Sequence, residues 1–462
     1  MPGTPRFLPR CGACLAAAAR ISPVADHGPA GMPSRTGAAM TDESIWVGLL
    51  DLDRSQPVAA VGGPLADRHG EARILVRKHG APLGYVTVPA QPEATLTGRA
   101  RAAAEVALAD AVRQHDQWDS GGADAWAAAV ACPRRFAGLE YPGVTVVICT
   151  RNRTAGLETV LRTFQRVDCE LLEVLVVDNA PSGPATRELV AGLVAEDPRL
   201  RYTCEPSPGL SRARNHGIAA AKYDLIAFTD DDTRVDPTWP LAIAAGFAAD
   251  PEAVCITGLV ASSSLDTGPE RYFDSRYSWG EAFEPRRYDL AAHRHPSGLY
   301  PYSAGIFGTG ANFAVRRAAV ERLGGFDPLL GAGSPGRGGE DLDIFLRLIL
   351  SGGRICYLPS ALVWHQHRAD TQALGEQIYS YGYGLGAYLA KHLGDGRLPV
   401  VMLGHGLRRV AAVRQRMRQA STAGQMQAHG KRLAWDEARG VLAGAVRYYR
   451  SSRQASRVAR GG

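Results

Sequence analysis

The chain has 462 residues, enough for two or three domains of roughly 100–200 residues and for at least one sizeable buried core. Its 45% hydrophobic and 21% charged residues are ordinary globular usage, which excludes wholesale disorder and a disulfide scaffold. The net charge of +6 is unevenly spread: after residue 400, thirteen Lys and Arg face only Asp436 and Glu437, so the remainder is slightly acidic. A basic terminal segment suits an anionic surface such as membrane headgroups or a polyanionic substrate; nucleic acid, or a solvated helix face, fits the charge equally well.

Residues 1–40 carry Arg6 and Arg10 before a short Ala run that Arg20 interrupts, and read as a disordered tail or a misassigned start with Met40 as the initiator. Cys11 and Cys14 form a lone CxxC without a second pair, which argues against zinc there. The other cysteines, several within apolar runs (Cys149, Cys255, Cys356), read as small buried hydrophobes of a reducing compartment, and no disulfide is expected. No run of about 18 apolar residues occurs, so a cytoplasmic location with at most peripheral contact at the inner face of the membrane is expected.

Residues 41–136 are expected to form an accessory α+β domain of unknown role, from β-like runs at Ile45–Leu52 and Ala72–Val88 and a helical stretch from Gly98 to His115. From 137 to 370 strands and helices alternate. Strands are predicted at Val144–Cys149, Leu172–Asp178, Leu200–Cys204, Leu225–Thr229 and Ala253–Thr257, with amphipathic helices between them. Continuous apolar strands separated by helices imply an α/β fold, a mostly parallel sheet with helices on both faces. Ligands then bind beyond the carboxyl ends of the strands, which singles out Thr150-Arg151-Asn152, Asp178-Asn179 and Asp230-Asp231-Asp232 around one crevice. Beyond Gly258 an irregular aromatic passage (Tyr272, Phe273, Tyr277, Trp279) suits stacking on sugar faces or the packing of a long loop. Regular structure resumes at Asn312–Val315, with a helix from Asp341 and a strand Arg354–Trp364; residues 371–462 read as a basic, mainly helical segment.

Three adjacent carboxylates at the end of an apolar strand need a cation, because buried unpaired charge costs several kcal/mol. Mg²⁺ or Mn²⁺ fits, since such ions take few protein carboxylates and complete their shell with water and phosphate oxygens. His365 offers an imidazole as a further ligand and favours Mn²⁺ over Ca²⁺; His367 projects from the same stretch. Gly339-Glu340-Asp341 opens a helix after a glycine-rich loop, and Asp341 is the choice for a base that accepts the proton of an attacking hydroxyl. Ser211-Arg212-Ala213-Arg214-Asn215 stands at another helix start, where Arg214 is the preferred partner for phosphate.

Together these segments resemble the family 2 glycosyltransferases of the GT-A fold. The likeness rests on Val146-Val-Ile-Cys-Thr-Arg-Asn, Val176-Val-Asp-Asn, Gly209-Leu-Ser-Arg-Ala-Arg-Asn-His-Gly, Phe228-Thr-Asp-Asp-Asp, Gly310-Ala-Asn-Phe-Ala-Val-Arg-Arg, Gly324-Gly-Phe-Asp and Gly339-Glu-Asp. It covers roughly 141–368 and implies an inverting, metal-dependent transfer from a nucleotide-sugar donor to a carbohydrate or lipid-linked acceptor, in cell-surface polysaccharide or glycolipid synthesis. By the same resemblance Thr150, Arg151, Asn152 and Asp178 hold the base and ribose, and Arg214 approaches the nucleotide. Asp230 and Asp232 take the family's Asp-x-Asp positions, Asp231 faces the ribose or donor sugar, and Asp232 and His365 bind the metal. Glu340 and Asp341 form the catalytic pair, and the loop Gly331–Gly339 is expected to close over the donor. No nucleic-acid partner is expected. Polyprenyl-phosphate transfer, a hydrolase built on His365-Gln366-His367, and a sugar-binding scaffold remain as alternatives; a nicotinamide enzyme is disfavoured because no G-x-G-x-x-G follows the first strand.

Overall fold

Runs that are mostly apolar on both faces, such as Val144–Thr150 and Leu172–Asn179, have no wholly polar face to turn to water and become strands covered on both sides. The structure is a computed structural model and describes residues 44–394 and 424–461, apart from 123, 137–139, 278, 298 and 304. The tail read at 1–40, with Cys11, Cys14 and Met40, lies outside the described residues.

In chain order the strands are β1 (Ile45–Asp51), β2 (Ala59–Ala60), β3 (Glu71–Lys78), β4 (Ala81–Pro89), β5 (Val144–Thr150), β6 (Leu172–Asn179), β7 (Leu200–Glu205), β8 (Leu225–Asp230), β9 (Thr233–Val235), β10 (Ala253–Ser262), β11 (Arg286–Tyr288), β12 (Asn312–Arg316) and β13 (Arg354–His365). The α-helices are α1 (Leu96–Ala107), α2 (Ala109–Asp119), α3 (Ala125–Val130), α4 (Thr154–Phe164), α5 (Ala185–Val194), α6 (Leu210–Ala220), α7 (Trp239–Ala249), α8 (Gly268–Tyr277), α9 (Arg317–Arg322), α10 (Glu340–Leu350), α11 (Thr371–Gly394) and α12 (Gly424–Gly461).

Among the described residues the larger sheet runs β11-β13-β10-β12-β8-β5-β6-β7, with β9 on β13. Strands β8, β5, β6 and β7 are parallel, the half that the strand–helix alternation predicts. The other half is mixed: β12 is antiparallel to both β8 and β10, whereas β10 and β13 are parallel. β12 is reached through a long irregular passage, so no short right-handed crossover constrains its direction. Side chains alternate between two cores. Val146, Ile148, Val174 and Val176 meet Leu157, Leu161 and Phe164 of α4 and Trp239 and Ile243 of α7 on one face. Val147, Leu175, Val177 and Phe228 meet Ala213 of α6 and Ile344 and Phe345 of α10 on the other. Each such side chain contributes roughly 1.5–3 kcal/mol by leaving water.

The run predicted from Ala72 to Val88 is a hairpin, folded where His79 and Gly80 both adopt positive φ, 51° and 85°, the pairing that a tight two-residue turn requires. The accessory sheet, ordered β2-β1-β3-β4, is covered on one face by α1. Its other face, with Val47 and Leu75, packs on Leu259 and Ala261 of β10 and on Leu362 and Trp364 of β13. Arg77 of β3 adds a buried ion pair to Asp236 at 2.7 Å. The helical reading after Thr371 is met by α11 and α12, which lie against each other in the same direction. Gly382 and Gly386 admit the backbone of Glu437 and Val441, and Gly440 and Gly444 admit that of Tyr379 and Tyr383.

Helix α10 is pinned to α11 by Asp343, wholly buried and paired with Arg347 at 2.7 Å, Lys391 at 2.8 Å and His392 at 3.1 Å. Burial alone would raise this carboxyl; the His392 hydrogen bond and the charges of Arg347 and Lys391 outweigh it and hold Asp343 well below the usual carboxylate range. Asp343→Asn should therefore cost about 3–5 kcal/mol at neutral pH. A depressed carboxyl contributes stability that is present above about pH 4 and lost as the pH falls, so the gap between wild type and variant should narrow in acid. Urea titrations at two pH values check this, and an equal gap at both would refute it.

Candidate active site

The parallel register aligns the carboxyl ends of the central strands: Thr150 stands opposite Asp178, and Cys149 opposite Asp230. The β5, β6 and β8 ends expected to line one crevice therefore stand side by side. At its floor Thr233 Oγ1 donates to the Asp230 carbonyl at 2.8 Å, and this tight turn fans out the three carboxylates. Alternate residues point the same way. Asp230 and Asp232 face His365, the ligand atoms of all three lying within 4.8 Å of one another, and His365 Nε2 is 3.3 Å from Asp232 Oδ1. Two carboxylates and an imidazole are a donor set that fits Mn²⁺ or Mg²⁺.

Asp231 makes different contacts. It is 4% exposed, accepts Thr150 Oγ1 at 2.7 Å on one oxygen and is bound by Arg153 on the other. These bonds join Asp231 to the end of β5, at the strand end where the resemblance places the ribose or donor sugar. Burial pushes its carboxyl up, against the pull of Arg153 and the Thr150 hydrogen bond. Asp230 is also pushed up, by burial first and then by Asp232, with Arg214 opposing. Asp232 moves down: burial opposes this, but the charge and hydrogen bond of His365, with Arg153 and Arg368, outweigh it.

His365 ends β13, where it pairs with Ser262 of β10 and Thr233 of β9, a register that sets it beside Asp232. Its Nδ1 is 3.3 Å from His367 Nδ1, and His367 Nε2 is 2.8 Å from Ser262 Oγ. With Nδ1 engaged, the His365 nitrogen facing Asp232 is Nε2. His367 is thus a support for His365, lying on the Phe273 ring at 4.4 Å and pushed down to about 3 by burial and by its neighbour. Of the aromatic passage, Phe273, Tyr277 and Trp279 form a packed cluster beneath the two histidines.

Arg214 departs furthest from expectation. It is 2% exposed, donates to Glu340 at 2.9 Å and to the Gly310 carbonyl at 3.0 Å, and lies 3.8 Å from Asp230. The rings of Phe228, Phe313 and Phe326 surround its guanidinium at 5.3–5.6 Å. So placed, it lies beneath the crevice, and Glu340, expected in the catalytic pair, is its buried counter-ion. Burial raises the Glu340 carboxyl and Arg214 opposes that rise. Asp341, by contrast, is half-buried; its Oδ2 accepts the Gly310 N–H at 2.8 Å. Gly310 leaves room for this, since a Cβ there would meet Asp341 Oδ2 at 3.1 Å and Arg214 Nη2 at 3.2 Å.

Asp178 is fully buried; Oδ2 accepts Tyr202 Oη at 3.1 Å, and Thr186 also interacts with the carboxylate. Burial pushes this carboxyl up. Asn152 adopts φ 55° and accepts the Ser182 N–H at 3.0 Å, joining the loops after β5 and β6. Arg151 is exposed, beside Gly333 of the glycine-rich loop, and that loop is tied to α6 by Leu210 N–H donating to Ala332. Sequence reasoning missed Arg153 and Arg368, which neutralise Asp232 at 3.1 and 3.8 Å. Nothing in the local pattern distinguishes them, because only the sheet brings them to residue 232.

Residues 145–324 match the family model described as glycosyl transferase family 2. Among its relatives, a pre-mycofactocin glycosyltransferase of Mycobacterium tuberculosis is 30% identical over 280 residues, 61% of this chain and 54% of that protein. A poly-beta-1,6-N-acetyl-D-glucosamine synthase of Staphylococcus aureus is 24% identical over 225 residues, covering 49% and 50%. The chain thus spans about half the length of these curated relatives. A solved mannosyltransferase from Pyrobaculum calidifontis, in complex with GDP-Man and Mn²⁺, aligns over 71% of this chain and 84% of its own at 16% identity, with a TM-score of 0.39.

The buried pair makes a direct test possible. Arg214→Met strands Glu340 and should cost about 3–5 kcal/mol, whereas Arg214→Met with Glu340→Leu should recover most of that loss. Denaturant titrations of the two single variants and the double variant decide; simple additivity would show that the pair is not coupled.

Proposed function

We propose that this chain is an inverting, metal-dependent glycosyltransferase that moves a sugar from a nucleotide-diphosphate sugar to an acceptor hydroxyl, in cell-surface polysaccharide or glycolipid synthesis. The observation that carries the reading is the convergence of Asp230, Asp232 and His365 at the strand ends, in the same row as the buried carboxylate of Asp178. Asp230, Asp232 and His365 would hold Mn²⁺ or Mg²⁺. Arg153 and Arg368, each more than 40% exposed, neutralise Asp232. The chemistry such an ion supplies when bound is charge stabilisation of the departing diphosphate.

The chain's own groups divide the remaining work. The Asp178 carboxylate offers an acceptor to an N–H or O–H of the nucleotide, with Thr150, Asn152 and Arg151 at the neighbouring strand end. Asp341, at the start of α10 and oriented by the Gly310 N–H, accepts the proton of the acceptor hydroxyl as its oxygen attacks the anomeric carbon. Arg214 and Glu340 keep the floor beneath both in place.

Thermal-shift panels of UDP-, GDP- and dTDP-sugars with and without Mn²⁺ test the reading. One nucleotide class should stabilise by about 2.7 kcal/mol at 100 times its Kd. The effect should need metal and vanish in Asp232→Ala. Asp341→Asn should keep donor binding and slow transfer about 10²- to 10⁴-fold. Folded protein indifferent to every donor with metal would end the proposal.

Peripheral membrane contact through the basic helix is part of the same proposal. Among the described residues no helix is long and apolar enough to cross a membrane. On α12, Trp435, Leu442, Val446 and Tyr449 are half or more exposed, and their spacing places them along one face beside Arg439, Arg450 and Arg453. An apolar stripe flanked by arginines suits the interface of an anionic bilayer, at about 1 kcal/mol per basic residue. Co-sedimentation with phosphatidylserine vesicles should capture the protein at low salt, and Trp435→Ser with Leu442→Ser should release it. Equal recovery with neutral vesicles would count against this contact.

A further inference from the structure

A second cluster of ligating side chains lies outside the family stretch, where the accessory sheet meets the rest of the chain. His79 occupies the β3–β4 turn, His115 and Asp119 stand one turn apart on the same side of α2, and Cys132 follows α3. His115 Nε2 is 3.3 Å from His79 Nδ1, Cys132 Sγ is 3.8 Å from it and Asp119 Oδ2 is 3.5 Å from it. The ligand atoms of the two histidines and the cysteine lie within 4.8 Å of one another. Cys132 and His115 are buried, at 0% and 1% exposed.

Hydrogen bonding, in which the Cys132 thiol also pairs with the Asp119 carboxylate, accounts for only part of this convergence. An imidazole nitrogen has one in-plane site, either a proton or a lone pair, and so satisfies one directional partner. Here three polar atoms gather around the same Nδ1. Tetrahedral Zn²⁺ gives this pattern. With Zn–N and Zn–O near 2.1 Å and Zn–S near 2.3 Å, the edges of the tetrahedron are about 3.4 Å between nitrogens or nitrogen and oxygen and about 3.6 Å between nitrogen and sulfur. Burial and a hydrogen bond to Asp119 push the Cys132 thiol up to about 12, with the backbone N–H groups of Arg134 and Arg135 opposing.

We propose that His79 Nδ1, His115 Nε2 and Cys132 Sγ bind a structural Zn²⁺ ion, with the Asp119 carboxylate placed to take the fourth position. On binding, the Cys132 thiol releases its proton to solvent, and thiolate and carboxylate together balance the charge of the ion. The ion would join the β3–β4 turn, the end of α2 and the turn Pro133–Phe136, whose Phe136 enters the core of the main sheet. Its role is to fasten the accessory sheet to the main sheet, and it stands independently of the proposed transferase activity.

The test is a Co²⁺ titration of the full chain after removal of bound metal with a chelator. A thiolate-to-cobalt charge-transfer band should grow to saturation at one equivalent and be displaced by Zn²⁺. The carboxylate–imidazole site has no thiolate, so Asp232→Ala should leave the band intact, as should Cys11→Ser with Cys14→Ser. Cys132→Ser should abolish it. If that variant fails to fold, the wild-type titration together with the Cys11/Cys14 variant still decides. Absence of the band from folded wild type, its persistence in Cys132→Ser, or its loss with Cys11 and Cys14 would overturn the proposal.

Discussion

One buried cation organises the floor of this molecule. Arg214 reaches from α6 through a ring of three phenylalanines to Glu340 at the start of α10 and to the carbonyl of Gly310 before β12. A charge so enclosed is tolerable only while its partners stay in place, because an unpaired ion in a low-dielectric interior costs several kcal/mol. The requirement is reciprocal. Glu340 depends on Arg214, Asp230 lies within 3.8 Å of it, and the Asp341 carboxylate shares the Gly310 backbone with it. Elements more than a hundred residues apart are thereby held in one geometry at the strand ends.

A polar chain extends this order outward from the histidines. His365 leans on His367, His367 on Ser262, Ser262 donates to Asp274 of α8, and Asp274 is bound by Arg73 of β3. The accessory sheet therefore reaches the imidazole that faces Asp232 through three intermediates and contributes more than packing. Its apolar face against Leu362 and Trp364 steadies the same strand end mechanically. The two contacts together give a physical reason for this unit to lie where it does.

On the opposite side, α11 and α12 owe their close approach to glycine. Gly382, Gly386, Gly440 and Gly444 let the two backbones touch where any Cβ would collide. The pair is seated on α10 through Asp343 and its cations, and Tyr448 of α12 donates to Asp327 at 2.9 Å. The exposed stripe on α12 is the face left over once the glycine face is spent on α11.

How much of this was legible follows from the range of each interaction. The strands and helices of the parallel half were readable because apolar continuity and amphipathic period are local, and the crevice followed because parallel strands place their carboxyl ends together. Asp230, Asp232 and His365 were identifiable from residue type and position at strand ends. The direction of β12 was not legible, since a long irregular connection permits either sense. Nor were the bond of Asp231 to Thr150, the burial of Arg214 and Glu340, or the approach of Arg153 to Asp232. Each depends on which face a side chain presents and on what a distant segment brings to it. The sequence by itself determined which chemical groups stand at the strand ends; only the tertiary structure decided which of them face the crevice and which hold it from beneath, because charge pairing in a buried interior is settled by contacts between segments far apart in the chain.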